Sequence, residues 1–262
     1  MKNISKSQLL DWMETKVLRY NVPKFIENDP MSIPLSYTKK QDVEISGFFT
    51  AMMAWGLRKT IINKSEELMR RMDHAPYDFI INAEDSDLAV LTDFKHRTFQ
   101  PTDLLYFVDF LQRHYSESET LESAFTIHWN DQDPEALESG LIHFHDYVFS
   151  ADYAPSRSKK HIATPSRKST CKRLNMMMRW FVRDEGVDLG IWKTIRPRHL
   201  YIPLDVHVDR VARELNLIKR KQTDWKTVKE LTETCRQLNP EDPGRYDFAL
   251  FGYGLEKKYG YF

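Results

Sequence analysis

Ile202-Pro-Leu-Asp-Val-His-Val-Asp-Arg-Val-Ala-Arg-Glu-Leu-Asn-Leu217 is the stretch on which the reading of this chain turns. Leu204, Val208, Val211 and Leu215 recur at steps of four, three and four. That spacing lays one apolar face along an α-helix. Asp205 stands at the head of the face, just after Pro203, where a carboxylate can cap the free backbone amides of a first turn. Taken alone, the stretch is an ordinary helix with an acidic cap.

The same period runs through most of the chain. Residues 6–20 carry Leu9, Leu10, Trp12, Met13, Val17 and Leu18 at helical spacing, and Asn21-Val-Pro ends the pattern. From Asp42 to about Leu57, the wide stripe of Ile45, Phe48, Phe49, Met52 and Met53 predicts a buried helix. Ile61 to Met72 continues as another, and further helices are expected at 76–82, 102–115, 119–129 and 134–149. Ser169 is the expected cap of a helix over Thr170–Arg183, with Leu174, Met177, Met178, Phe181 and Val182 facing the core. A turn-rich connector, Asp184–Trp192, leads towards the opening stretch. A helix from Thr223-Asp-Trp225 to Leu238 and a last apolar helix, Tyr246–Leu255, precede an aromatic tail. Alternating β-branched runs are nearly absent. The expected fold class is all-α, with about ten helices of roughly 8–18 residues.

Composition narrows the class. The 262 residues suffice for a substantial core, and 41% apolar with 29% charged residues describes a folded, soluble chain. No apolar run approaches the ~18 residues that cross a bilayer. The N-terminus, Met1-Lys-Asn-Ile-Ser-Lys6, leads into an amphipathic segment and not into a signal-peptide core. Cys171 and Cys235 are too few for a disulfide framework, a four-cysteine zinc site or an iron–sulfur cluster, so two reduced thiols in a cytoplasmic protein are expected. His143 and His145 lie two apart and share no helix face. No metal site, cofactor, membrane or protein partner is expected.

Charge is balanced in sum, 38 basic against 38 acidic residues, but not in place. Between Tyr153 and Arg183 stand nine basic residues, Arg157, Lys159, Lys160, Arg167, Lys168, Lys172, Arg173, Arg179 and Arg183, and no acidic one. A phosphate backbone is attracted to such a stretch through counterion release. The plainer reading is a solvated basic loop followed by a helix with its cations outward. Lys172 falls in the first turn of that helix, where backbone amides and neighbouring cations are one way to favour the neutral, nucleophilic amine, a merely exposed lysine being the other reading.

Together these places resemble the helix-hairpin-helix (HhH-GPD) DNA glycosylase superfamily. Asp205, His207, Val208, Arg210, Val211 and Leu215 match its Val-Asp-Thr-His-Val-x-Arg-Val-x-x-Arg-Leu segment position by position. Cys171-Lys-Arg-Leu-Asn175 looks like its Arg-Lys-Thr-Ala-Asn run, and Phe48-Phe-Thr-Ala-Met-Met-Ala-Trp-Gly56 like the helix ending at its base-inserting loop. Lys172 and Asp205 are 33 positions apart, a gap closer to the archaeal 8-oxoguanine DNA glycosylases, and Asp247-Phe-Ala-Leu-Phe251 fits their C-terminal recognition run. The nearest likeness overall is to an uncharacterised bacterial family with Lys-Arg-Leu-Asn-Met and Pro-Leu-Asp-x-His-Val patterns.

The resemblance implies a two-lobed helical fold with a cleft between the lobes. The chain would be one unit with lobes of roughly 42–150 and 1–41 plus 151–262. It implies a DNA glycosylase/AP lyase removing an oxidised purine of the 8-oxoguanine type, with Lys172 as Schiff-base nucleophile and Asp205 as catalytic carboxylate. Asp247, Phe251 and Trp55 would bind the base, with Trp192 as a further stacking candidate. Arg167, Lys168, Ser169 and Arg173 would hold DNA phosphates, the partner being double-stranded DNA with a damaged base in the bacterial cytoplasm. One departure matters: the family's hairpin carries Gly-Val-Gly, whereas Ser166-Arg-Lys-Ser169 stands here, with no glycine between Gly140 and Gly186. That puts the hairpin's bound cation in doubt. Three alternatives remain open: a catalytically inactive DNA-binding protein of the same fold, a helical enzyme acting on free nucleosides or nucleotides, and a helical scaffold.

Overall fold

Long apolar periodicities become helices throughout the computed structural model, which describes residues 5–260. The reading of Met1–Ile4 and the last two residues of the aromatic tail lie outside the described residues. The chain opens with α1 (Lys6–Tyr20) and α2 (Pro23–Ile26). It continues with α3 (Ser32–Leu35), α4 (Lys40–Met53), α5 (Arg58–Arg71), α6 (Pro76–Asn82), α7 (Pro101–Tyr115), α8 (Ser123–Thr126) and α9 (Ala136–Val148). Then follow α10 (Lys172–Val182), α11 (Val206–Glu214), α12 (Trp225–Arg236) and α13 (Asp247–Tyr259). Among the described residues there is no strand, only an isolated bridge between His96 and Phe99, so the chain is all-α. No helix among them is long and apolar enough to cross a membrane.

Two units divide the chain. One joins the N-terminal segment up to Glu27 with Thr164 onward, and the other is Asn28–Ala163. The boundaries differ from the expected 42 and 150 because flanking segments are tied into the second unit. There α3 packs on α4, Ser158 donates to Asp103 at 2.7 Å, and the Ile162 carbonyl meets His145 Nδ1 at 2.7 Å.

In the Asn28–Ala163 unit, α4 is buried from Asp42 through Met53, as an apolar helix without a polar face must be. Phe48 meets Phe107 and Phe144 at ring separations of 5.8 and 6.4 Å. The more deeply buried of its two acids, Glu44, takes hydrogen bonds from the Tyr115 hydroxyl at 2.8 Å, the Thr120 hydroxyl at 2.5 Å and the Leu121 amide at 2.9 Å. These bonds satisfy a buried carboxylate. They also correct the helix expected at 119–129, which shrinks to α8: Glu44 and His114 engage Thr120 and Leu121 and hold that backbone out of helical register.

In the other unit, α13 is the element on which α1 and α11 both pack. Gly254 makes the second of these contacts possible, since a Cβ there would stand 2.9 Å from the Cβ of His207. Arg19 pairs with Glu256 at 2.6 Å across the first contact, and Arg245, in the turn just before α13, pairs with Glu14 of α1 at 3.0 Å.

Candidate active site

The opening stretch folds as its period requires. Leu204, Val208, Val211 and Leu215 are buried, and Asp205 is the N-cap of α11. Its Oδ1 accepts the amides of His207 and Val208, both at 2.8 Å. Among the described residues, Oδ2 accepts no hydrogen bond. The side chain is half-exposed, with Val206 projecting beside it. The His207 ring sits 6.0 Å from Phe251 and 6.4 Å from Tyr259. Burial, with Lys258 and Arg210 adding to it, holds this imidazole below its ordinary range despite the nearby Asp205.

The approach to α10 differs from expectation. The helix starts at Lys172 with Cys171 as N-cap, and not at Thr170 with Ser169. The reason lies in the backbone. Lys168 and Cys171 both adopt the left-handed region, at φ 59° and 48°, so the chain cannot become helical before residue 172. Two non-glycine residues in that region cost about 1–3 kcal/mol each and persist only when their surroundings hold them. Here the holding bonds are explicit. The Lys168 amide donates to Pro165 O at 2.8 Å, and the Cys171 amide to Ser169 Oγ at 3.2 Å. Asn175 Nδ2 donates to Thr170 O at 3.1 Å, and the Trp225 amide to Lys168 O at 3.2 Å. Thus the turn that would ordinarily use glycine is held by local bonds together with one from the distant Trp225. Arg167 and Lys168 are exposed on it, Ser169 and Lys172 are half-exposed, and the half-buried Arg173 guanidinium is pushed down to about 10 by burial.

Leu174, Met177, Met178, Phe181 and Val182 face the core as expected. Arg179 and Arg183 do not belong to a basic surface; both are buried in ion pairs. Arg179 binds Asp247 Oδ2 at 2.9 Å and Asp188 Oδ2 at 3.1 Å, and its guanidinium lies 3.5 Å over the Phe248 ring. Arg183 also pairs with Asp188, and with Asp242 at 2.8 Å. Asp247, the first residue of α13, is thereby fixed two turns along α10 from Lys172, since positions 172 and 179 share a helix face. Burial pushes the Asp247 carboxyl up to about 6; Arg179 opposes this, while the Asp205 and Asp188 charges add to it. Asp205 and Asp247 therefore stand within each other's electrostatic field.

The family described as a protein of unknown function, DUF2400, matches residues 29–256, a span that includes Lys172, Asp205 and Asp247. The chain belongs to the DUF2400 family. No curated protein and no solved structure matches it. In this DUF2400 chain Phe251 is half-exposed on α13, 6.2 Å from Phe25. Trp192 is 1% exposed and packs on Phe181 at 5.0 Å, which makes it core and removes it as a stacking residue. Trp55 lies in the Asn28–Ala163 unit, half-exposed after α4, between His96 at 5.1 Å and His161 at 5.9 Å. Cys171 and Cys235 are both buried and unbridged, the Cys235 thiol pushed up to about 12 by burial.

Sequence reasoning missed Arg179 and Asp188 as parts of this arrangement. A signal existed: within Met176-Met-Met-Arg-Trp-Phe-Val-Arg183, two arginines interrupt an apolar run and need buried carboxylates.

The Asp247 environment makes a pH prediction. A carboxyl held at about 6 binds its proton more tightly in the folded than in the unfolded chain. Its contribution to stability is complete at low pH and is lost as the pH rises through about 6. Asp247→Asn removes that loss. Relative to wild type, the variant should gain about 2 kcal/mol of stability between roughly pH 4 and pH 7. Urea unfolding at both pH values measures it, and parallel curves would show that Asp247 titrates normally.

Proposed function

We propose that this protein is a DNA repair glycosylase with AP lyase activity, acting on an oxidised purine of the 8-oxoguanine type in duplex DNA. The observation that carries the reading is the capped Asp205. Two amides of its own helix grip one oxygen and leave the other without a bond among the described residues, close enough to Asp247 to influence its titration. A carboxylate so fixed needs no reorganisation as positive charge develops on a sugar. In the same unit, α10 begins with a lysine that follows an exposed basic turn.

In this reading the damaged base is flipped out of the duplex, at a cost of a few kcal/mol. The Lys172 amine attacks C1′, forming an Nζ–C1′ bond as the bond from C1′ to the base breaks, its electron pair leaving with the purine, which takes up a proton. Asp205 stabilises the cationic sugar and shuttles protons as the Schiff base forms and β-elimination opens the strand. Asp247 gives Oδ2 to Arg179 and keeps Oδ1 for the extruded base, and Phe251 of the same unit stacks on it. Arg167, Lys168, Ser169 and Arg173 hold phosphates.

Borohydride trapping tests the chemistry. The protein incubated with an 8-oxoguanine duplex and reductant should yield a covalent adduct that Lys172→Gln fails to form. No adduct with any lesion duplex removes the lyase and leaves a protein that binds DNA without reacting.

A further inference from the structure

We infer that the nucleic-acid surface extends beyond the turn before α10 onto the loop 219–223 and the start of α12, where Lys221 and Lys226 bind the phosphate backbone. The inference rests on the DNA reading above and enlarges it with residues from a different element.

The two segments are joined through the backbone. The Trp225 amide, at the first residue of α12, donates to the carbonyl of Lys168 at 3.2 Å. That bond sets the opening turn of α12 beside the left-handed residue of the basic turn. Arg167, Lys168, Lys221 and Lys226 are all exposed around this junction.

The neighbouring carboxylates are already committed. Asp224 caps α12 through the Thr227 amide at 3.0 Å and pairs with Arg220 at 2.9 Å. Glu230 accepts the amides of Lys219 and Arg220 at 2.9 and 3.3 Å. Asp209 pairs with Arg213 at 3.0 Å. Among the described residues Lys221 and Lys226 make no ion pair, so their charge there is uncompensated at the surface.

The loop is also held in shape before any ligand arrives. Arg213 donates to the carbonyl of Arg220, to that of Gln222 at 3.2 Å and to Thr223 Oγ1 at 3.4 Å. Thr227 Oγ1 donates to Gln222 O at 2.7 Å. A restrained loop loses little conformational entropy on binding, so its lysines contribute more of their electrostatic attraction. Anionic, sequence-independent and extended, a nucleic-acid backbone is the partner that an array of uncompensated cations on two adjoining turns fits.

Fluorescence anisotropy with an undamaged duplex of about 20 base pairs, at roughly 50 to 200 mM KCl, tests this on the full chain. Each neutralised phosphate contributes about 0.9 to the slope of log K against log salt. Lys221→Ala/Lys226→Ala should lower the magnitude of that slope by about 2, and Lys221→Arg/Lys226→Arg should restore it. Arg167→Ala/Lys168→Gly serves as the reference, the glycine keeping the left-handed turn. An unchanged slope in the Lys221/Lys226 variant, with a reduced slope in the reference, overturns the extension and leaves the DNA reading standing. Salt-independent or absent duplex binding by the wild type overturns the DNA reading itself.

Discussion

Asp205→Asn is expected to leave the fold intact and to slow base removal about 10²–10⁴-fold, the usual worth of a positioned acid–base group. The substitution separates two roles that share one side chain. Asparagine caps a helix as well as aspartate does, and its oxygen can take the same His207 and Val208 amides. What disappears is the negative charge. Asp205→Ala removes the cap as well and should cost about 1 kcal/mol of stability in addition to the rate. Single-turnover release of 8-oxoguanine, alongside urea unfolding, reads both. A further effect needs no activity: without the Asp205 charge, the Asp247 carboxyl should titrate lower, because that charge is one of the causes holding it up. Undiminished turnover in Asp205→Asn would leave Asp205 as a cap alone.

Arg179→Met should be the most destabilising single change near the site, at about 3–5 kcal/mol. Removing one member of a buried ion pair strands its partners, and here two carboxylates, Asp247 and Asp188, lose a shared cation. Arg183 still serves Asp188, so the heavier loss falls on Asp247. The loss should be smaller near pH 5 than at pH 7, since a stranded Asp247 escapes part of the cost by taking up a proton. Arg179→Lys should fall between, because an ammonium cannot span both carboxylates and lie flat on Phe248. Urea unfolding of the three proteins at the two pH values gives the comparison. A loss below about 1 kcal/mol would mean that the pairs behave as solvent-screened surface bridges.

Of the candidate residues, those set by local rules were legible in the chain itself. The Asp205 cap needs only its own helix, and its geometry follows from the apolar period after it. Lys172 lies in a first turn for the same reason, although the start of α10 moved by two residues because Lys168 and Cys171 take the left-handed conformation, the former held by the distant Trp225 amide. Helices failed where a distant side chain competed for the backbone, as Glu44 does for Thr120 and Leu121. Arg179 shows the opposite limit: basic in sequence, it counted as surface charge until the fold placed Asp188 and Asp247 against it.

By itself the sequence of 262 residues determined an all-α chain, its long helices and the acidic head of Ile202–Leu217, because helix period and capping are decided within a few neighbouring positions. Only the tertiary structure decided which charges are free and which are spent. It buried Arg179 and Arg183 with their carboxylates, joined Lys168 to α12 through one backbone bond, and left Lys221 and Lys226 uncompensated. Those outcomes depend on contacts between residues far apart in the chain, where burial and Coulomb energy act together and local pattern carries no information.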